Sequence, residues 1–185
     1  MMDELSLNIL DIAQNSIAAE AMLVEIDVEE DEINDTLVIR VKDNGKGMSE
    51  EFLKTVQDPF ITTRSTRKIG LGISFFKEAA EMTGGRLELE STPGIGTVIT
   101  AGFVKSHIDR QPVGDLTGTI VTLVQLNPGI DFNVRYKVNG DEFVFSTQEV
   151  RTMLGDDAEL NSPPVVNFLS EYIKEHIANL SGGAH

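Results

Sequence analysis

Asp11 and Asn15 stand four residues apart in the run Leu10-Asp11-Ile12-Ala13-Gln14-Asn15-Ser16. At helical spacing, two such side chains emerge one above the other on one face. A carboxylate can take a proton from a nucleophile, and an amide oxygen can help hold a hard cation such as magnesium. Further along, Asp43-Asn44-Gly45-Lys46-Gly47-Met48 puts a carboxylate ahead of two glycines. Glycines there let a backbone turn approach a flat ligand while the carboxylate accepts its hydrogen bonds. Gly70-Leu71-Gly72 reads as a stretch just before a helix, where backbone N–H groups can face phosphate. Arg64, Arg67 and Lys68, with the Thr62 and Thr63 hydroxyls, form a basic loop in an acidic chain, and such a loop suits a small anion. Gly94-Ile95-Gly96-Thr97 completes the set. Each motif alone has an ordinary alternative: a solvated helix face, a plain turn, a solvated loop or a hairpin.

The elements that must position these residues follow from periodicity. Residues 5–20 read as a helix with Leu5, Ile9, Ile12, Ala13 and Ile17 on its apolar faces, and Asn8 extends the polar stripe. Residues 22–29 alternate with period two and read as a strand, and 37–42 as a second. Ser49 is placed to cap a short helix through residue 56. Residues 61–70 read as a loop, 73–82 as a helix ended by Gly84-Gly85, and 86–90 and 97–104 as two more strands. This order predicts an α+β fold, a two-layer sandwich with helices on one face of a mainly antiparallel sheet. Residues 1–105 form the first unit, and 106–185 a small α+β unit. The second unit opens on a polar stretch, 109–115, that suits a linker. A strand is expected over 119–126, a hairpin over 132–138 and 142–145 across Asn139-Gly140, a short helix over 148–154, and a longer one from Ser162 to about 180.

Composition narrows the classes. The 185 residues carry a net charge of −15, which disfavours nucleic acid and anionic lipid as partners. Without cysteine there are neither disulfides nor thiolate chemistry. No apolar run approaches spanning length and no signal peptide is evident, so a cytoplasmic location is expected.

Taken in order, Asp11-x-x-x-Asn15, Asp43-x-Gly45-x-Gly47, Gly70-x-Gly72 and Gly96-Thr97 resemble the N, G1, G2 and terminal Gly-Thr boxes of the GHKL ATPase superfamily. Gyrase, the heat-shock chaperone, the histidine kinases and the mismatch-repair ATPases belong to it. Asp58-Pro59-Phe60-Ile61-Thr62-Thr63-Arg64 is similar to the histidine-kinase F box. The resemblance covers roughly residues 5–104 and implies a Bergerat-type ATP site. In such a site Asn15 would coordinate magnesium, Asp43 would accept the adenine amino group, and Gly45 and Gly47 would let the backbone approach the nucleotide. Residues 61–70 would be the lid. Met48, Phe60, Thr62, Thr63, Arg64, Arg67, Lys68 and Leu71 would join the nucleotide site, Gly70 and Gly72 would contact phosphates, and Thr97 would support adenine through a water.

The chain departs from the histidine kinases in two respects. Almost nothing precedes Leu5, and no upstream hairpin carries a phosphoacceptor, so a stand-alone type is expected. His107, His176 and His185 read as surface or linker residues. The position four before Asn15 is Asn in typical histidine kinases and Glu in ATP-hydrolysing relatives. Asp11 has the carboxylate with one methylene less, which points to water or a hydroxyl as nucleophile. The resemblance thus implies an ATP- and Mg2+-dependent protein, a slow ATPase or protein kinase, with Asp11 as base. The alternatives are an ATP-sensing interaction module and a split histidine kinase. A protein partner or substrate is implied, and oligomerisation is left open.

Overall fold

The computed structural model describes residues 4–57, 67–155 and 159–182. It opens with helix α1 (Leu5–Ala18), followed by strands β1 (Leu23–Asp31) and β2 (Thr36–Asp43). Helices α2 (Glu50–Gln57) and α3 (Arg67–Glu81) lead to β3 (Arg86–Thr92) and β4 (Gly96–Val104). Beyond these lie α4 (Leu116–Leu126), β5 (Asp131–Val138), β6 (Asp141–Ser146), α5 (Thr147–Leu154) and α6 (Pro163–Gly182). The expected α+β sandwich is present. Six strands form one sheet in the order β3-β4-β2-β1-β5-β6, with every pair antiparallel except β1–β5.

Alternation decides the faces of the sheet. Val24, Ile26 and Val28 of β1 and Leu37, Ile39 and Val41 of β2 are buried. The residues between them pair by charge on the other face: Lys42 with Glu25 at 2.7 Å, Arg135 with Asp27 at 3.0 Å and Lys137 with Glu29 at 2.8 Å. Leu5, Ile9 and Ile12 recur at helical spacing on α1 and are fully buried in the core. That core is continuous from Phe76 and Phe103 at one side to Phe132, Phe145 and Leu169 at the other. The hairpin across Asn139 (φ 51) and Gly140 (φ 99) therefore extends the same sheet through β5.

Three local expectations need correction. Residues 119–126, expected as a strand, lie in α4. Leu116, Thr119, Ile120, Leu123 and Val124 are its buried positions, a 3-1-3-1 spacing that belongs to a helix, and the Asp115 carboxylate caps it by accepting from Gly118 N–H at 2.8 Å. The β-branched run that suggested a strand is overridden by this cap and by burial on one helical stripe. The lid was expected to run to residue 70, yet α3 begins at Arg67, so Gly70 and Gly72 lie inside the helix rather than before it. The 109–115 stretch is no free linker. The Leu5 and Ser6 N–H groups donate to the carbonyls of Pro112 and Val113 at 3.0 and 2.8 Å, which closes the otherwise uncapped start of α1.

Candidate functional site

Four strand ends and one helix converge at one edge of the sheet. Asp43, the last residue of β2, lies beside Val24 of β1 and Thr97 of β4 in register, and Thr97 lies opposite Ser91 of β3. α1 brings Ile12, Asn15 and Ser16 to this corner, and Ala19 follows directly after its end. Together with Met48, Phe52, Ile73 and Ile99 they enclose a cavity of about 480 Å³. Its lining is mostly apolar with a few fixed polar groups, the usual make-up of a small-molecule site.

Asp43 is 8% exposed, and both of its oxygens are held. Ser16 Oγ donates to Oδ2 at 2.6 Å, and the Gly45 N–H donates to Oδ1 at 2.9 Å. A buried carboxylate held this way keeps further lone pairs for a ligand donor while its direction stays fixed. The turn after it is pinned as well. Asn44 Oδ1 accepts from the N–H groups of Met22 and Leu23 at 2.9 Å each, and Lys46 N–H donates to Ala19 O at 2.9 Å. Gly47, at φ +67, backs onto Thr92, whose carbonyl oxygen would lie 2.0 Å from any Cβ there. Opposite, Ser91 Oγ accepts from Met48 N–H at 2.8 Å and lies 2.9 Å from Thr97 Oγ1, tying the turn to β4.

Of the residues singled out in the sequence, Asn15, Asp43, Gly47, Met48 and Thr97 line the cavity. Gly45 is buried beneath it against Ala19. Asp11 lies one turn before Asn15, not on the lining, and its carboxylate faces α3. A Cβ built on Gly72 would meet Asp11 Oδ2 at 2.0 Å, so the bare backbone of Gly72 makes room for that carboxylate. Burial raises the Asp11 pKa above its ordinary value. Leu71 is exposed, and Arg67, Lys68 and Gly70 lie in the first turns of α3. Phe60, Thr62, Thr63 and Arg64 lie outside the described residues.

The sequence reading passed over Ser16, Ser91, Lys46, Phe52 and Ile73. Ser16 had a signal: it continues the Leu5-Ile9-Ile12 stripe, and a hydroxyl on the sheet-facing side of a helix needs a partner. For a metal, the described residues contain no group of three or more His, Cys, Asp or Glu. Asn15 lines the cavity with a buried Nδ2 that has no partner, so its carboxamide is not committed elsewhere. One amide oxygen fits magnesium, which keeps several waters and takes its other ligands from phosphates.

A family model described as histidine kinase-, DNA gyrase B- and HSP90-like ATPase matches residues 1–107. The chain belongs to this family. Among its relatives, sensor histidine kinase YvrG of Bacillus subtilis is 34% identical over 95 residues, which is 49% of this chain and 16% of that protein. The non-motile and phage-resistance protein of Caulobacter vibrioides is 30% identical over 116 residues, 58% of this chain and 14% of that protein. The chain thus spans about a sixth of the length of these relatives. The ATPase domain of Aquifex aeolicus MutL, solved with ADP, is similar in fold, with a TM-score of 0.51 at 15% identity, over 83% of this chain and 70% of that one. Among the described residues no helix is long and apolar enough to cross a membrane.

Proposed function

We propose that this ATPase-family domain binds Mg-ATP in the cavity beneath α1 and promotes attack on the γ-phosphate by water or a protein hydroxyl. The observation that carries the reading is the doubly held Asp43 carboxylate at the floor of an apolar cavity, with Ser16 and Gly45 fixing its direction. Asp43 would accept the adenine amino group, with Met48, Phe52 and Ile73 providing apolar contact on the ring. Asn15 would hold magnesium, which when bound neutralises charge on the phosphates. Asp11 would be the general base. Burial raises its pKa, which makes it a stronger proton acceptor than an exposed aspartate. Arg64, Arg67 and Lys68 would supply positive charge to the phosphates, Arg67 and Lys68 from the first turn of α3, and residues 106–185 would meet a protein partner. The setting for such an activity is the cytoplasm, where ATP is available.

Incubation of the protein with Mg2+ and γ-labelled ATP tests this, with free phosphate and labelled protein followed separately. Release of phosphate by wild type and its loss in Asp11→Asn are expected. Unchanged turnover in Asp11→Asn removes Asp11 from catalysis, and absence of both phosphate release and labelling removes the enzymatic reading. A second reading, transfer to a histidine on a separate protein, is favoured by relatives that are themselves sensor histidine kinases. It predicts an acid-labile phosphate on that partner.

A further inference from the structure

Asn8 lies on α1 one turn before Ile12. It is 1% exposed, and neither its Oδ1 nor its Nδ2 has a hydrogen-bond partner. Among the described residues it is the one buried side chain left with both polar atoms unmatched. Burying such a group without a partner destabilises the fold, a penalty that a leucine of similar volume would not carry.

Its place on the helix gives this amide a use. Asp11 is three residues further on and Asn15 seven, so the three side chains emerge along one side of α1. Helical side chains lean toward the N-terminus, which carries the Asp11 carboxylate back over the turn that holds Asn8. Among the described residues that carboxylate has neither a hydrogen-bond donor nor an ion pair, and burial raises its pKa. It rests against the bare backbone of Gly72. A buried amide donor lacking an acceptor and a carboxylate lacking a donor therefore sit one helical turn apart.

We propose that Asn8 is a positioning residue for Asp11: with nucleotide bound, the Asn8 Nδ2–H donates to the Asp11 carboxylate and fixes the direction of its free oxygen. The inference rests on the reading of this cavity as a nucleotide site with Asp11 as base. An aspartate reaches one methylene less far than a glutamate, so its aim depends more on a second group. Exclusion of water by the bound ligand strengthens the pair.

The test uses the full 15N-labelled chain. The Asn8 carboxamide signals are identified by their loss in Asn8→Leu. A non-hydrolysable ATP analogue with Mg2+ shifts these signals in wild type and slows their exchange with water. In Asp11→Ala, with the analogue bound, they stay as in the free protein. Signals that respond identically in wild type and Asp11→Ala, or that do not respond while the analogue binds, overturn the pairing. In turnover, Asn8→Leu lowers kcat about tenfold with KM for ATP nearly unchanged, and it costs nothing further in the Asp11→Ala background. A loss confined to KM, or one equal in both backgrounds, overturns it as well. If the analogue does not bind, the nucleotide-site reading falls and takes this inference with it. Binding without turnover removes only the enzymatic reading, and the NMR arm still decides the pairing.

Discussion

Gly72→Ala separates placement of the Asp11 carboxylate from stability of the fold. The new Cβ would lie 2.0 Å from Asp11 Oδ2, 3.0 Å from its Cγ and 3.6 Å from its Cβ. The three nearest atoms all belong to Asp11, so only the end of one side chain has to move. To reach an ordinary contact of 3.4 Å from 2.0 Å, the carboxylate oxygen must retreat by about 1.4 Å. Within a helix, alanine in place of glycine contributes about 1 kcal/mol. Pushing the aspartate off its rotamer costs about 0.5–1.5 kcal/mol. The two nearly cancel, so the variant should fold with little change in its melting temperature. In the Asp11→Ala background nothing has to move, and the same substitution should raise the melting temperature by about 2–4 °C. Catalysis has no such compensation, since a misplacement of about 1 Å can cost a factor of about 10² in turnover. Nucleotide binding should persist, because Gly72 does not line the cavity. The assays are thermal unfolding of the four proteins in the cycle, ATP turnover, and binding of a fluorescent ATP analogue. An equal change in melting temperature in both backgrounds would refute the contact, and turnover within about threefold of wild type would refute the role of the carboxylate.

Ser16→Ala removes the 2.6 Å bond to Asp43 Oδ2 and leaves that buried oxygen with no donor. A loss of about 1–3 kcal/mol in denaturant unfolding is expected, together with weaker binding of adenine nucleotides, and unchanged stability would contradict the arrangement. Asp11→Asn should stabilise the protein at neutral pH. A carboxyl whose pKa is raised on folding opposes folding as soon as pH rises through the unfolded value, in full above the folded one, and the penalty disappears as pH falls below the unfolded value. The gain in melting temperature should therefore shrink on acidification, and a gain that grows instead would reverse the argument. Asp131 behaves in the opposite sense. Burial pushes its carboxyl up, but hydrogen bonds from Gln148, Arg151 and Thr147 outweigh it and hold the pKa below the ordinary value. Its stabilisation is present at neutral pH and is lost as pH falls through that lowered value. Arg151→Met should thus destabilise the protein at neutral pH and lose less on acidification than wild type. Parallel stability–pH curves for the two would show that the Asp131 pair contributes nothing.

The cavity was legible in the sequence where chemistry and element ends coincide. Asp43 closes β2 and Thr97 opens β4, so the glycines next to them announce turns at one edge of the sheet. Asn15 was legible through its spacing from Asp11. Ser16 was not, because its meaning lies in a contact across 27 positions of chain, and nothing local distinguishes a serine that holds a carboxylate from one that faces water. Gly72 shows the same limit. As part of a glycine pair it suggested a phosphate turn, while its contact in the fold is with a side chain of another helix. The error over residues 119–126 has a different source. Thr, Ile and Val favour strands as single residues, but the Asp115 cap and a stripe buried against α1 and α6 fix the segment as a helix.

The helix that carries Asn8, Asp11 and Asn15 is held by chain beyond residue 107, where the family match ends. Its first N–H groups are taken by Pro112 and Val113. Glu4 Oε2 accepts from Ser6 Oγ and from the Asp115 N–H at 3.1 and 3.0 Å. Thr119 of α4 donates to the Ser6 carbonyl at 3.3 Å. A side chain at Gly114 would collide with the Glu4 carboxylate, so this corner is closely packed on both sides. Beside it, β5 continues the sheet along β1 in parallel register. A fragment ending at residue 107 would leave α1 without its cap and would expose the surface that α4 covers. The position of the polar stripe above the cavity is therefore set jointly by the matched residues and by the C-terminal part of the chain. A partner that displaced α4 or the 109–115 stretch would act on the orientation of Asp11 without touching the cavity.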